Sequence, residues 1–420
     1  MPSSDVDVVI VGGGAAGIAA ARRLHHAKIR GLIVEARPRL GGRALTIIDG
    51  SGFALDLGCG WLHSADRNPW VEIATEQGAS IDKGPPPWQR QGPAIGFPRP
   101  QQQEFYAALD QFHARLEKLA QGETDVPASA ALEPGNRWNG LINALSTYIS
   151  GAEWDRVSAR DFDRYADSSI NWRVVEGLGT VVKRCGADLP AVRDCRVLAI
   201  DHRGKRLHIE TTQGAIAADQ VIVAIPTTLV AAEQIAFTPA LAEKTEAAAG
   251  LPLGLDDKLF MSLDGADEFE KDVRVFGHTD RAATAAYHLR PFGRPLIEAY
   301  FGGPCAAALE AEGEGAFFDF AVSELVGVFG HDFARRVRPI RIHRWGLDPL
   351  ALGSYSFALP GAVDDRAKLA APVDNRLFFA GEACSTHDYS TAHGAWHTGV
   401  AAADQVIAAR GDATVAPANR

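Results

Sequence analysis

The fold is decided near the start of the chain, where residues 8–17 read Val-Val-Ile-Val-Gly-Gly-Gly-Ala-Ala-Gly. The four apolar residues at 8–11 are β-branched, which is typical of a strand buried on both faces of a parallel sheet. The run at 18–24 that follows the glycines has the composition of a helix. We therefore predict a strand, a tight glycine turn and a helix in direct succession.

The glycine turn has the spacing of a dinucleotide-binding fingerprint, with Gly12, Gly14 and Gly17 in the pattern GxGxxG. Gly12 permits the tight turn, Gly14 lets a pyrophosphate approach the backbone, and Gly17 lets the helix pack closely on the strand. The phosphates would bind free N–H groups at the helix N-terminus. A second apolar strand at 31–34 ends in Glu35, whose carboxylate can accept both ribose hydroxyls and would repel the 2′-phosphate of NADP. An incidental glycine turn is the weaker interpretation.

The composition is that of a soluble globular protein, with 46% apolar and 22% charged residues in a chain of 420. This length favours two domains. The net charge of −10 argues against a nucleic-acid-binding surface and mildly favours cationic small molecules. No stretch approaches the roughly 18 apolar residues of a membrane span, and the first strand begins too close to Met1 for a leader. We therefore expect no membrane association. The sequence does not decide between a monomer and a homodimer.

The five cysteines are widely spaced and form no CxxC motif. An odd number without paired spacing favours reduced, mostly buried thiols. We therefore expect a cytoplasmic protein, and we expect no metal site.

Two segments differ in character from the rest of the chain. Residues 81–171 begin with proline- and glycine-rich loops and continue as amphipathic helix, and residues 253–343 combine strands with a helix. We predict that these two segments form one discontinuous α+β substrate domain. Residues 1–80, 172–252 and 344–420 are then predicted to form an α/β nucleotide-binding domain of Rossmann type.

Local patterns predict the elements within these segments. The helices are expected at 71–77, 104–119, 141–150, 177–185 and 317–329, and the strands at 195–201, 206–211, 220–226, 258–263, 294–300 and 376–380, with a hairpin around 49–52.

The end of the chain returns to the nucleotide-binding domain. Gly381 and Glu382 follow an apolar strand, and Thr391 stands near the expected N-cap of a helix that runs to Ala409. A helix N-terminus stabilises negative charge, so this one would favour the reduced form of a cofactor ring placed before it. Residues 411–420 are expected to form a frayed polar tail.

Residues 36–43 extend the fingerprint, because Gly41-Gly42-Arg43 resembles the Gly-Gly-Arg extension of FAD-dependent oxidoreductases with the glutathione-reductase-like fold. The paired glycines offer a second close backbone approach, and Arg43 offers a guanidinium to the same pyrophosphate. A solvated basic turn would explain the arginines but not the paired glycines.

Five blocks in matching order resemble the FAD-dependent amine oxidases, a family that includes monoamine, polyamine and spermine oxidases and flavin histone demethylases. The matching order of the five blocks supports the resemblance more strongly than any single block does. The blocks are residues 8–43; residues 57–63 with Asn68-Pro69; residues 257–260; Arg344-Trp345 with residues 353–356 and Pro360-Gly361; and residues 378–383 with 391–395.

The resemblance implies roles for three residues. Lys258 looks like the family lysine that holds a water against flavin N5 and assists oxygen chemistry. An isolated lysine would more often begin a strand at the surface, but the place of Lys258 in an otherwise apolar strand and the family match favour the functional role. Tyr355 matches one wall of an aromatic cage, where a π-face suits an amine, but a tyrosine there is also natural in a core. His63 would lie near the substrate amine, or it would simply pack.

The sequence departs from the monoamine oxidases at two positions. Thr391 stands where that branch has a second tyrosine, and Ser354 stands where it has a flavin-linked cysteine. Noncovalent FAD is therefore expected, and the two-tyrosine cage is not. The sequence is most similar to the polyamine oxidase and demethylase branch. The residues expected to bind FAD are Gly12, Gly14, Ala15, Ala16, Gly17, Glu35, Ala36, Arg37, Gly42, Arg43, Gly58, Cys59, Gly60, Trp61, Val197, Trp345, Gly381, Glu382, Thr391 and Ala392.

The reaction implied is oxidation of a C–N bond in a small-molecule amine. Hydride passes from the carbon next to the amine to flavin N5, the imine hydrolyses to an aldehyde or ketone, and dioxygen reoxidises the flavin to give hydrogen peroxide. A polyamine or another primary or secondary amine is the expected substrate. The alternatives are an L-amino acid oxidase, with an arginine from 264–344 clamping the carboxylate, a flavin desaturase of the carotenoid-precursor type, and a non-catalytic scaffold that keeps FAD for structure.

Overall fold

A computed structural model describes residues 6–415 of the chain. The strands in this part are β1 (Val6–Val11), β2 (Gly31–Val34), β3 (Thr46–Ile48), β4 (Ala54–Asp56), β5 (Trp61–Leu62), β6 (Ile81–Asp82), β7 (Trp172–Val174), β8 (Ala191–Val192), β9 (Val197–Asp201), β10 (Leu207–Thr211), β11 (Gly214–Val223), β12 (Ala236–Thr238), β13 (Leu253–Gly254), β14 (Asp256–Leu263), β15 (Val273–Phe276), β16 (Ala286–Leu289), β17 (Leu296–Gly302), β18 (Val337–Ile342), β19 (Tyr355–Ser356) and β20 (Leu377–Phe379). The α-helices are α1 (Ala15–His26), α2 (Pro69–Glu76), α3 (Arg99–Ala120), α4 (Asn139–Ser150), α5 (Ala159–Asp163), α6 (Leu178–Cys185), α7 (Thr227–Ala231), α8 (Ala242–Ala249), α9 (Gly303–Glu312), α10 (Glu314–Phe329), α11 (Asp365–Ala370) and α12 (Ala392–Val415).

The larger sheet is built around β1. Parallel pairing runs through β8, β2, β1, β11 and β20, and the sheet continues from β11 through β10, β9 and β12. Val8, Val9 and Ile10 are fully buried, because helices cover both faces of the parallel strands. The predicted strand at the start of the chain is therefore β1, around which this sheet is built, and the predicted turn and helix α1 follow it.

A second sheet is antiparallel, with the strand order β15-β16-β17-β14-β18. Side chains alternate between its two faces, as in any strand. Leu259 and Met261 of β14 pack in a cluster with Phe317 of α10, whereas Phe260 packs in another cluster with Leu57. Lys258 shares the face of Phe260, so the strand period directs it toward residues 55–58.

The predicted helix at 104–119 lies within α3, and the one at 141–150 lies within α4. Both belong to a cluster that includes Phe105, Trp138 and Trp154. Strands β15, β16 and β18 were not predicted, because each is short or carries charged residues that mask the period.

Several boundaries differ from the prediction by a few residues, and two of them have a local cause in the sequence. Helix α2 begins at Pro69 because Asn68 caps it, with its side-chain oxygen accepting from the Trp70 N–H at 3.0 Å. The tail expected from 411 was wrong over residues 411–415, which continue α12, since the sequence has no proline before Pro417 to stop the helix. Residues 416–420 lie outside the described part. Across residues 6–415, no helix is both long and apolar enough to cross a membrane.

Candidate active site

A cavity of about 1090 Å³ runs from the glycine turn of the larger sheet to the polar face of the second sheet. Cavities of this size are typical of cofactor and substrate sites. Every residue predicted to bind a cofactor or substrate lines it except Gly17. The lining residues among the predictions are Gly12, Gly14, Ala15, Ala16, Glu35, Ala36, Arg37, Gly42, Arg43, Gly58, Cys59, Gly60, Trp61, His63, Val197, Lys258, Trp345, Tyr355, Gly381, Glu382, Thr391 and Ala392.

The glycine turn shapes one end of the cavity. Gly12 has φ +101°, and a Cβ there would lie 2.5 Å from the Ala224 carbonyl oxygen. A Cβ at Gly17 would overlap the Gly12 carbonyl oxygen, so this glycine lets α1 pack on β1 and contributes no lining. At Gly14 a Cβ would meet only the Gly42 Cα, at 4.0 Å. The turn thus leaves open space at the N-terminus of α1, where a phosphate can bind free N–H groups.

Glu35 is buried beside this turn. Its carboxylate accepts from the Gly13 N–H at 2.6 Å and from the Arg37 N–H at 2.7 Å. Arg37 itself forms an ion pair with Asp348 at 2.8 Å. Burial works to raise the pKa of Asp348, but hydrogen bonds from His343 and Arg37 outweigh it and hold that pKa well below its usual range. An ionised Asp348 therefore fixes Arg37 in the cavity wall.

Arg43 connects three parts of the chain. Its Nη1 donates to Glu382 Oε1 and to the Ser354 carbonyl oxygen, each at 2.8 Å. Burial alone would raise the pKa of Glu382, but Arg43 and the Ser356 hydroxyl lower it. The sequence prediction gave Arg43 no protein partner, and the structure supplies Glu382.

The loop at 57–63 is held from the second sheet. Lys258 Nζ donates to the carbonyl oxygens of Gly58 at 2.7 Å and Asp56 at 3.1 Å. Trp345 Nε1 donates to the Leu57 carbonyl oxygen at 2.9 Å. Because Lys258 is buried, its ammonium needs both these acceptors and a counter-charge.

Glu298 supplies that counter-charge from the neighbouring strand β17. Its Oε1 lies 3.4 Å from Lys258 Nζ, and its Oε2 lies 2.9 Å from Arg173 and 3.5 Å from His288. Burial would raise the pKa of Glu298, but Arg173 and Lys258 hold it well below its usual range. The carboxylate is therefore ionised. Sequence reasoning missed this cluster, although alternation within β17, with Glu298 and Tyr300 two residues apart, indicated a polar face.

His63 is oriented by Asn171. The His63 Nδ1 and Asn171 Oδ1 atoms are 2.6 Å apart, so with the amide oxygen as acceptor Nδ1 carries the proton and Nε2 keeps a lone pair. Burial lowers the pKa of His63. The Trp88 ring centroid lies 6.4 Å from that of His63 and 4.5 Å from that of Trp61. Trp88, from the proline-rich segment, was not predicted as a site residue.

Tyr355 and Thr391 flank the cavity from the C-terminal part of the chain. The Tyr355 hydroxyl donates to the Tyr148 carbonyl oxygen at 2.7 Å, and burial raises its pKa well above the usual range. Thr391 is the N-cap of α12, because its Oγ1 accepts from the Gly394 N–H at 2.9 Å. Tyr148 and Tyr300 also line the cavity, so several aromatic rings are present although position 391 has none.

Comparisons with known proteins agree with this architecture. Residues 155–407 match the family described as flavin containing amine oxidoreductase, and residues 10–75 match the NAD(P)-binding Rossmann-like domain. Polyamine oxidase 4 of Oryza sativa subsp. japonica is 27% identical over 446 residues, which cover 96% of this chain and 89% of the relative. Polyamine oxidase 2 of Arabidopsis thaliana is 28% identical, and the match covers 96% of this chain and 88% of the relative. Lysine-specific histone demethylase 2 of Homo sapiens is 24% identical, covering 96% and 53%.

Two solved structures share the fold. Wild-type putrescine oxidase bound to putrescine has a TM-score of 0.79 at 17% identity, covering 96% of this chain and 99% of that one. Cyclohexylamine oxidase from Brevibacterium oxydans IH-35A has a TM-score of 0.76 at 20% identity, covering 97% and 100%. The predicted fold class, a glutathione-reductase-like FAD-binding domain with an α+β companion, is confirmed. The chain therefore belongs to the flavin-containing amine oxidoreductases and is an FAD-dependent amine oxidase.

Proposed function

We propose that the enzyme oxidises the C–N bond of a primary or secondary amine, polyamines included, to an imine that hydrolyses to an aldehyde or ketone. One observation carries the proposal. A single cavity joins the glycine turn and Glu35 at one end to Lys258, Tyr355 and His63 at the other. The plant polyamine oxidases among the relatives support the choice of substrate class.

The residues at the glycine end fit FAD. The open space at Gly14, the N-terminus of α1 and the buried acceptor Glu35 suit a pyrophosphate and an adenosine ribose. Bound FAD supplies the hydride acceptor, and dioxygen regenerates it with release of hydrogen peroxide. Ser354 stands where a covalent link would need a cysteine, and its hydroxyl donates to the Asp256 carbonyl oxygen at 2.8 Å, so we propose that FAD binds noncovalently.

The substrate end would deliver a neutral amine. An alkylammonium has no lone pair to assist hydride loss, and a buried aromatic wall disfavours the charged form. We propose that His63 Nε2 accepts a hydrogen bond from the amine, because its Nδ1 is engaged by Asn171 and burial keeps the ring neutral. Tyr355 would orient the C–H bond with its ring, since its hydroxyl is anchored on Tyr148.

Lys258 would hold a water molecule at the cavity. Two of its three N–H groups donate to the Gly58 and Asp56 carbonyl oxygens, which leaves the third for a water, and Glu298 Oε1 lies 3.4 Å from Nζ. The ionised Glu298 would act as counter-charge to the ammonium of Lys258, which would stabilise negative charge developing on dioxygen. The ammonium of Lys258 in the cavity wall, with Glu298 buried behind it, favours this chemistry over the desaturation of a lipid.

We also propose that the chain divides into two domains. The FAD-binding domain comprises residues 1–80, 172–252 and 344–420, and the substrate domain comprises residues 81–171 and 253–343. Each of the two larger sheets falls within one of these groups of segments, which supports the division. A cytoplasmic location is likewise proposed, and the free state of all five cysteines supports it.

An anaerobic amine panel tests the proposed function. The purified yellow protein is mixed in a stopped-flow instrument with alkylamines, diamines, spermidine and amino acids, and the bleaching of its flavin absorbance is followed. At least one amine should bleach the flavin within seconds, and aeration should yield one equivalent of hydrogen peroxide. If no amine bleaches the flavin, the proposal is wrong, and bleaching without peroxide would contradict the oxidase assignment.

A further inference from the structure

Arg274 of β15 lines the cavity without a carboxylate partner. Its guanidinium lies over the Phe276 ring at 4.9 Å, and the groups that favour its charge are the phenols of Tyr106 and Tyr148. Within residues 6–415, no aspartate or glutamate forms an ion pair with it. Burial lowers its pKa, which means that its surroundings leave the positive charge poorly compensated.

Two other buried arginines show the usual arrangement. Arg173 forms an ion pair with Glu298 at 2.9 Å, and Arg366 forms one with Asp161 at 2.6 Å. Burial acts to lower the pKa of each, but the carboxylate partner prevails and raises it. Arg274 differs because its half-buried side chain faces a cavity in place of an acid. A cation–π contact on Phe276 is too weak to replace a counter-charge.

Arg274 shares the sheet face of Lys258. Directly paired residues lie on one face, and the pairing runs from Arg274 through His288 and Glu298 to β14. Three inter-strand spacings of about 4.8 Å and an offset of two residues put the Cα atoms of Arg274 and Lys258 roughly 16 Å apart. Glu298 is already engaged by Arg173 and Lys258.

We infer that Arg274 binds an anionic group of the substrate, so that the preferred amine carries a carboxylate at the far end of a short chain. This inference rests on the proposed function and narrows its substrate class. A guanidinium recognises a carboxylate with a planar pair of donors, and Tyr106 and Tyr148 add hydroxyl groups and apolar ring surface beside it. The separation from Lys258 suits an ω-amino acid. An α-amino acid, whose two groups share one carbon, is too short to reach both ends.

Two exposed acidic residues that line the cavity do not oppose this assignment. Glu117 of α3 and Asp163 of α5 line it, and both side chains are exposed. The pKa of Asp163 is raised, by partial burial and by repulsion from Glu117, so the two acids lie near each other. They would attract the ammonium end of a zwitterion at the entrance. Tyr106 and Glu117 are eleven residues apart on α3, about 16 Å of helix, so this acidic pair is well separated from the residues beside Arg274.

A series of six-carbon ligands tests the inference on the holoenzyme. The series comprises ε-aminocaproate, hexylamine, hexamethylenediamine and norleucine, and the measured quantity is the rate of anaerobic flavin bleaching divided by the half-saturating concentration. We expect ε-aminocaproate to exceed the other three ligands by at least about 30-fold, the factor that one buried charge pair provides. Independently of turnover, hexanoate should raise the Tm of the holoenzyme.

Three variants complete the test. Arg274→Gln should remove the preference for ε-aminocaproate and the effect of hexanoate, with hexylamine little affected, and Arg274→Lys should restore part of both. Arg341→Gln changes an exposed arginine of β18 and should alter neither. Equal or better use of hexylamine or hexamethylenediamine by the wild type overturns the inference but leaves the proposed function standing. A flavin that no amine bleaches refutes the proposed function itself.

Discussion

Lys258 Nζ lies 2.7 Å from the carbonyl oxygen of Gly58, a residue 200 positions earlier in the chain. The contact joins the second sheet to the loop at 57–63, and Glu298 balances the charge that it buries. A charge held in this way at a cavity wall is the arrangement expected at a reactive centre. Its contribution can be measured directly.

Lys258→Met should lower kcat for dioxygen consumption by about 10²-fold, because a positioned charged donor is lost next to the proposed reaction centre. The fold should survive, since Arg173 still balances Glu298 at 2.9 Å. The measurement is oxygen uptake with a saturating amine, and Lys205→Met, at an exposed lysine, serves as the control. A variant that retains a third of the wild-type rate would count against a catalytic Lys258.

Substitutions at two glycines of the turn should cause two different defects, one in stability and one in FAD binding. Gly17→Ala should destabilise the fold by about 3 kcal/mol, because its Cβ overlaps the Gly12 carbonyl oxygen. Gly14→Val should fold normally and lose FAD, because its Cβ meets only the Gly42 Cα, at 4.0 Å, while the side chain fills the space at the N-terminus of α1. Thermal unfolding and the ratio of flavin to protein absorbance separate the two. Gly50→Ala, in open space, should change neither. A Gly14→Val protein that is still yellow would contradict the proposal that FAD binds in the space at Gly14.

Asp348→Asn should show a pH-dependent loss of stability. The native pKa of Asp348 lies below its unfolded value of about 3.9, so its stabilisation is fully present above that value and declines as the pH falls through it. Between pH 5 and pH 7 we expect the free energy of unfolding of the variant to be about 2 kcal/mol below that of the wild type, as for one charged hydrogen bond. Below about pH 4 the difference between the two proteins should be smaller. Urea unfolding at each pH provides the test, and Asp188→Asn, on an exposed ion pair, should have little effect. A difference that grows on acidification would exclude an ionised Asp348.

Thr391→Ala should destabilise the protein by about 1 kcal/mol, because the N-cap acceptor for the Gly394 N–H disappears. Thr391→Ser keeps the hydroxyl and should retain most of the stability. Chemical denaturation of the two variants side by side is sufficient, and equal losses in both would show that the methyl group, and not the cap, matters.

Tyr355→Phe tests whether the ring or the hydroxyl of Tyr355 serves the reaction. The ring remains, so we expect flavin reduction to stay within about threefold of wild type, while the lost bond to Tyr148 costs about 1 kcal/mol of stability. Tyr355→Leu removes the ring and should slow reduction by about tenfold or more through poorer positioning of the amine. Stopped-flow reduction under saturating substrate distinguishes these cases; the reverse order would assign the role to the hydroxyl.

The sequence by itself determined the centre of the larger sheet and the glycine end of the cavity. The apolar run at 8–11, the GxGxxG spacing and Glu35 are contiguous or nearly so, and local rules of chain geometry act at that range. The order of the family blocks identified Lys258, His63 and Tyr355 as candidates, and the structure brings all three to one cavity.

Only the tertiary structure decided how the substrate end is built. Residues far apart in the chain meet there: Glu298 lies beside Lys258 and Arg173, and Trp88 lies beside Trp61. The same packing leaves Arg274 without an acidic partner. No local pattern encodes these relationships, because strand register and the packing of one sheet against another decide which side chains meet.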